Sequence, residues 1–365
     1  MNKKSDSNRL PPVTTCILEQ PPRIVLGLCV LSLLLVISSC SYLVRDSRLY
    51  QKNWQVYKAN YITANGRVID TGNQGSSHSE GQGYGMLLAE AANDRATFVQ
   101  VWQWARENLQ RSEDGLFSWQ YMPDKGITDV NNATDGDILI AWALVRAAKR
   151  WQITEYDRNA RQILSAIKDK LIRRWRTETV LLPGLMGFEH ADGSLTINLS
   201  YWVFPAFYEF AHFDRASVWI DLAQSGFVLL SQARFGRWGL PPDWIRLNEM
   251  ATIEPDRKPV FGYNAVRIPL YLLWADKADR ENTRSYFQFW NKEFNFQPAW
   301  TNLEDNSIDS YDASIGIKGV NALVVALNKN ERVSTKLLSS KEDYYSASLL
   351  LLSQLASINA NFLQH

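Results

Sequence analysis

Cysteine is almost missing from this chain: Cys16, Cys29 and Cys40 are all there is, and none follows residue 40. The remainder has no disulfide, no thiolate ligand and no cysteine nucleophile, so its stability must come from a packed core. Histidine is nearly as scarce. His78, His190, His212 and His365 form no His/Cys/Asp cluster at ligand spacing, so neither a metal site nor a cofactor is expected. Nucleotide-binding glycine loops and a Gly-x-Ser-x-Gly elbow are also lacking. So is any excess of positive charge. Lys and Arg number 39 against 38 Asp and Glu, and without residues 1–49, which hold six and three, the balance is 33 to 35. Nothing in it points to nucleic acid. After about residue 50 there is no Pro/Gly/Ser linker, short repeat or low-complexity tract, which favours one large domain over residues 50–365.

What precedes that domain is of a different kind. Ile24 to Val44 is an uncharged, mostly apolar run between Arg23 and Arg45, behind Lys3, Lys4 and Arg9. Residues 1–49 are thus expected to be an export signal or membrane anchor. The greater number of basic residues before the run favours a cytoplasmic N-terminus with the remaining chain outside. The run is long enough to span a membrane. Ile37-Ser-Ser-Cys40 also looks like a lipoprotein processing site, and the small residues around it suit simple cleavage.

In the domain, period-3.6 patterns dominate. Helices are expected over roughly 49–62, 80–93, 94–110, 135–151, 155–175, 200–213, 214–233, 262–278, 280–293, 312–328 and 344–362. Strand alternation is confined to short pieces near 115–121 and 179–198. Near-contiguous helix pairs predict an all-α toroid of helical hairpins, with inner helices apolar all round and outer ones amphipathic.

Two carboxylates stand at the mouth of the most apolar helix, in Ala133-Thr-Asp135-Gly-Asp137-Ile-Leu-Ile-Ala-Trp142, which runs on to Trp151. As an isolated pair they would read as a helix cap and a complement to the helix dipole. The whole stretch resembles the signature of glycoside hydrolase family 8. Ser79-Glu80-Gly-Gln-Gly-Tyr-Gly-Met86, Pro242-Asp243-Trp244 and Gly262-Tyr-Asn264-Ala-Val-Arg267 occur in the same order as similar blocks of that family. The resemblance is strongest to bacterial cellulases associated with cellulose synthesis, and it runs from about Trp54 to beyond Arg267. It implies an (α/α)6 barrel, inverting hydrolysis, a β-glucan substrate and the cellulose-synthesis machinery as a partner.

By that resemblance Glu80 matches the general acid. Its alternative is a capping box with Ser77. Gly81, Gly83 and Gly85 are costly in a helix, and their lack of side chains would let a sugar chain lie close beside Glu80. Inversion needs a second, ionised carboxylate to activate water. Many family members place it where this chain has Asn264, and an amide has no proton equilibrium near neutrality. Asn264 could hold the water; Asp135, Glu249, Glu254, Asp256, Glu304 and Asp305 are the candidates for base, with Asp135 ranked first. Asp137, Trp119, Tyr201 and Arg267 are expected to contact substrate, with Trp202 as a further stacking candidate. Arg267 could equally be a buried ion-pair partner and Asp243 a turn residue. Three readings follow: an internal β-1,4-glucan hydrolase, or a relative acting on mixed-linkage glucan, chitosan or xylan; a polysaccharide-binding protein that has lost its base; or a structural toroid.

Overall fold

A computed structural model describes residues 46–359, which lie within one compact unit. The apolar run Ile24 to Val44 and Cys40 lie outside the described residues. Among those described, no helix is long and apolar enough to cross a membrane. They form eleven α-helices: α1 (46–61), α2 (Ser79–Ala91), α3 (Arg95–Asn108), α4 (Thr134–Trp151), α5 (Thr154–Lys170), α6 (Phe204–Asp214), α7 (Val218–Gln232), α8 (Arg267–Trp274), α9 (Arg284–Asn291), α10 (Ile315–Lys329) and α11 (Tyr344–Asn359).

Six of them close a ring in the order α2, α4, α6, α8, α10, α11 and back to α2. In α2 and α11 nearly every residue is buried, the polar Gln82 and Glu90 of α2 included. The outer helices carry a single apolar stripe. In α5 it runs through Tyr156, Ala160, Ile163, Leu164 and Ile167. This is the (α/α)6 barrel, with the irregular segment 330–343 where a twelfth helix would pack. Asn53 of α1 holds that segment by bonds to the Lys336 carbonyl (2.9 Å) and the Leu338 N–H (2.8 Å). Most tryptophans are core; Trp54, Trp142 and Trp219 are fully buried.

Short strands lie in the loops. β1 (Ser77–His78), β2 (Ser118–Met122) and β3 (Gly126–Asn132) make an antiparallel sheet in that order. β4 (Ile172–Trp175) pairs with β5 (Glu178–Leu181), and β6 (Leu195–Ile197), β7 (Ile245–Leu247) and β8 (Ala251–Ile253) form a second three-stranded sheet. β9 (Val260–Phe261) pairs with β10 (Thr301–Asn302).

Several expected helices are shorter in the structure. The one predicted over 155–175 stops at Lys170 because Ile172–Trp175 pairs as β4. Residues 199–201 form a 3-10 turn, and α6 starts at Phe204 with Pro205 in its first turn. The helix expected over 262–278 is reduced to Arg267–Trp274, since residues 262–266 form a turn and Asp276 takes φ +55°.

Candidate active site

Alternation of outer and inner helices makes the ring helices run in one direction, so their N-terminal ends gather at one end of the barrel. Glu80 lies in the first turn of α2, Asp135 in that of α4, Arg267 opens α8, and Tyr344 opens α11. Beside Glu80 is a cleft of about 560 Å³, lined among others by Asp70, His78, Tyr263, Tyr311 and Tyr345.

Arg267 is the centre of this arrangement, and only 3% of it is exposed. Its Nη1 donates to Glu80 Oε1, to Asp135 Oδ2 at 3.1 Å and to Tyr84 Oη at 3.2 Å. Its Nη2 donates to Ser200 Oγ and Asn264 Oδ1, both at 3.0 Å. The guanidinium carbon lies 5.8 Å from the centre of the Tyr201 ring. The ion-pair reading and the site reading of Arg267 therefore describe one geometry. A planar fork is what lets one side chain serve two carboxylates and an amide at once.

Glu80 also accepts from Tyr84 Oη at 3.2 Å, one helical turn on, and Tyr84 is linked to Tyr271 Oη at 3.2 Å. The capping box with Ser77 does not form: His78 caps α2, its Nδ1 accepting from the Gly81 N–H at 3.2 Å. The proton is left on Nε2, which faces Asp70 Oδ2 at 3.3 Å.

Asp135 does not cap α4, whose cap residue Ala133 makes no side-chain bond. Its Oδ1 accepts from the Gly136 N–H at 2.9 Å. Burial pushes its carboxyl up to about 7, against the opposing pull of that N–H.

Asp137 is corrected by the structure. It is wholly buried, and its oxygens accept from the Phe117 N–H (2.8 Å) and Asn132 Nδ2 (2.7 Å). It cannot touch a sugar. It clamps both ends of the β2–β3 hairpin that carries Trp119. That indole is half-buried, with Nε1 donating to Asp129 at 2.7 Å. Trp202 is likewise no platform, being 1% exposed with Nε1 bonded to the Leu222 carbonyl.

The glycines of α2 also serve a different purpose from the one expected. A Cβ on Gly83 would lie 2.5 Å from Leu139 Cβ of α4, and one on Gly85 2.8 Å from Val68; Gly81 abuts Tyr344. They admit neighbouring elements, not a sugar chain.

Asn264 Oδ1 receives Arg267 and Asn198 Nδ2 (3.1 Å). Behind it, Asp243 Oδ1 accepts from the Gly262 and Ala265 N–H groups at 2.9 and 2.8 Å, fixing the turn that presents Asn264. Burial raises the Asp243 carboxyl. Of the other base candidates, Glu254 is buried against Arg246 and Thr196, whereas Glu249, Asp256, Glu304 and Asp305 are exposed. Asp135 alone among them contacts Arg267. Tyr84, Tyr271, Asn198 and Ser200 are members of the network that the sequence reading missed. Only the i, i+4 spacing of Tyr84 from Glu80 gave a signal.

The model of glycosyl hydrolases family 8 matches residues 25–359. A probable endoglucanase of Novacetimonas hansenii is 40% identical over 313 residues, covering 84% of this chain and 90% of its own. The endo-β-1,4-glucanase CMCax of Acetobacter xylinum superposes with a TM-score of 0.79 at 37% identity, over 86% of this chain and 99% of that one. Endoglucanase Cel10 of Klebsiella pneumoniae gives 0.78 at 37%, over 83% and 98%. The contacts among Glu80, Asp135 and Arg267 at the mouth of the helical ring and the match over nearly the whole barrel lead to one conclusion: the chain belongs to glycosyl hydrolases family 8.

Proposed function

We propose that the protein is an endo-β-1,4-glucanase that hydrolyses its substrate with inversion, Glu80 acting as acid and Asp135 as base. The observation that carries this is the meeting of Glu80, Asp135 and Asn264 on one buried arginine beside an open cleft. A glucan chain in the cleft draws Glu80 off Arg267. Freed from that ion pair, Glu80 takes up a proton from solvent and gives it to the glycosidic oxygen as the C1–O bond breaks. A water held by Asn264 attacks C1 from the opposite face and loses its proton to Asp135, leaving a hemiacetal of inverted configuration. Inversion needs the acid and base about 6.5–9.5 Å apart to admit that water, so Glu80 has to leave the Arg267 nitrogen that it shares with Asp135. A carboxyl buried to a pKa of about 7 is poised to accept a proton near neutrality.

The test is reducing-end release from carboxymethylcellulose, mixed-linkage β-glucan, chitosan and xylan, with NMR of the first anomer formed. Glu80→Gln and Asp135→Asn should each lower kcat by roughly 10²- to 10⁴-fold, the usual worth of a general acid or base. Cleavage confined to chitosan or xylan would move the substrate assignment. Binding without cleavage would restore the binding-only reading that Asn264 suggests.

We further propose that residues 1–49 export and anchor the enzyme, in keeping with the apolar run and its flanking charges, and that it works beside cellulose-synthesis machinery. Cell fractionation with a Cys40→Ser variant tests the first. Co-purification of synthase subunits from membranes tests the second.

A further inference from the structure

A second groove, of about 670 Å³, lies between the loop after α1, the outward side of α3 and the β2–β3 hairpin. Its chemistry is mainly amide: Gln100, Gln103 and Asn108 along α3, with the Gln103 Nε2 donating to Glu107 at 2.9 Å, Arg67 opposite, and the half-buried Tyr121 ring over the core residue Trp104. Trp104 and Tyr121 meet edge to face, with centroids 5.2 Å apart at 83°. The walls are fixed. Gly66, at φ +88°, lies so close to α3 that a Cβ there would be 2.1 Å from the Gln100 carbonyl oxygen. Asn108 Nδ2 is bonded to the Trp104 carbonyl at 2.9 Å, and Tyr121 stands in register with Ser77 of β1. The residue after Ser77 caps the helix that carries Glu80.

One arginine and one glutamate leave the groove without a charge preference, which disfavours phosphates and polyanions. It offers no broad apolar expanse for a lipid or protein face. Amides beside one partly open aromatic ring, Tyr121, in a preformed groove fit a neutral, polyhydroxylated ligand. We propose that this groove binds a second segment of β-glucan, outside the catalytic cleft. The proposal rests on the glucanase reading.

The experiment compares the whole protein with a Gln100→Ala/Gln103→Ala variant. Both residues are exposed, and alanine favours the helix, so the fold is kept. Two readouts are taken: hydrolysis of cellotetraose, and retardation in gels containing soluble mixed-linkage β-glucan, the latter in a Glu80→Gln background. Cellotetraose turnover should not change. Retardation should fall by about fivefold, the order expected for losing one or two hydrogen bonds to sugar. Unchanged retardation in an enzyme that still cuts cellotetraose overturns the groove alone. A wild-type protein that neither cuts nor binds β-glucan overturns the glucanase reading and this proposal with it.

Discussion

Arg267 donates to five side chains from a site that water hardly reaches. Removing it strands Asp135 as an unpaired buried carboxylate, so Arg267→Ala should lose about 3–5 kcal/mol in denaturant unfolding. Arg267→Lys restores charge without the fork and should keep the fold while losing most activity. Asp137 makes a prediction in pH. Burial lifts it from 3.8 to about 8, so the native state binds its proton more tightly than the unfolded chain. Stability from this group is therefore full at low pH and declines as pH rises through about 4 to 8. Urea titrations across that range should show the decline, and Asp137→Asn should flatten it. That variant also sets an amide donor against Asn132 Nδ2, with an overall loss of about 1–3 kcal/mol. Asp135 predicts the opposite limb in activity: kcat/KM should rise with pH through about 7, and a limb below pH 5 would reject it as base.

Between α2 and α4 the contact is nearly backbone to backbone. A Cβ on Gly136 would fall 2.1 Å from Ser79 Oγ and 2.7 Å from the Glu80 amide. Gly136→Ala should therefore push apart the two helices that carry Glu80 and Asp135, costing about 1–3 kcal/mol by overpacking and, if these are the acid and base as proposed, more than tenfold in kcat. Pairing it with Ser79→Gly should recover part of both. This is also where the sequence was hardest to read. The cost of Gly81, Gly83 and Gly85 in a helix was plain, yet a glycine that admits a helix and one that admits a sugar look the same in one dimension. Glu80, Asp135, Asn264 and Arg267 were legible because each sits in a motif with a chemical demand. Asp137 looked like its neighbour Asp135, and only the fold shows that one faces Arg267 and the other the hairpin. Asn198 and Ser200 carry no such signature, and the 3-10 turn that aims them was hidden inside an apolar stretch read as helix.

At the scale of the whole molecule, the ring closes through elements at opposite ends of the described chain. Asn53 is bonded to residues 336, 338 and 354, and Tyr57 Oη to Ser348 Oγ at 3.1 Å. Helical periodicity made the hairpins legible, since each is local; the irregular segment 330–343 was not, because its conformation is set by Asn53 from far away in sequence. Until α11 has left the ribosome, a growing chain holds an open arc of hairpins whose first helix has nothing to close against. Such a contact is reached late and at a high cost in chain entropy. The barrel therefore cannot shut before α11 is made, and a chain ending at residue 343 should stay open and protease-sensitive although it contains Glu80, Asp135 and Arg267. The last helix of the ring is thus the latch of the whole barrel.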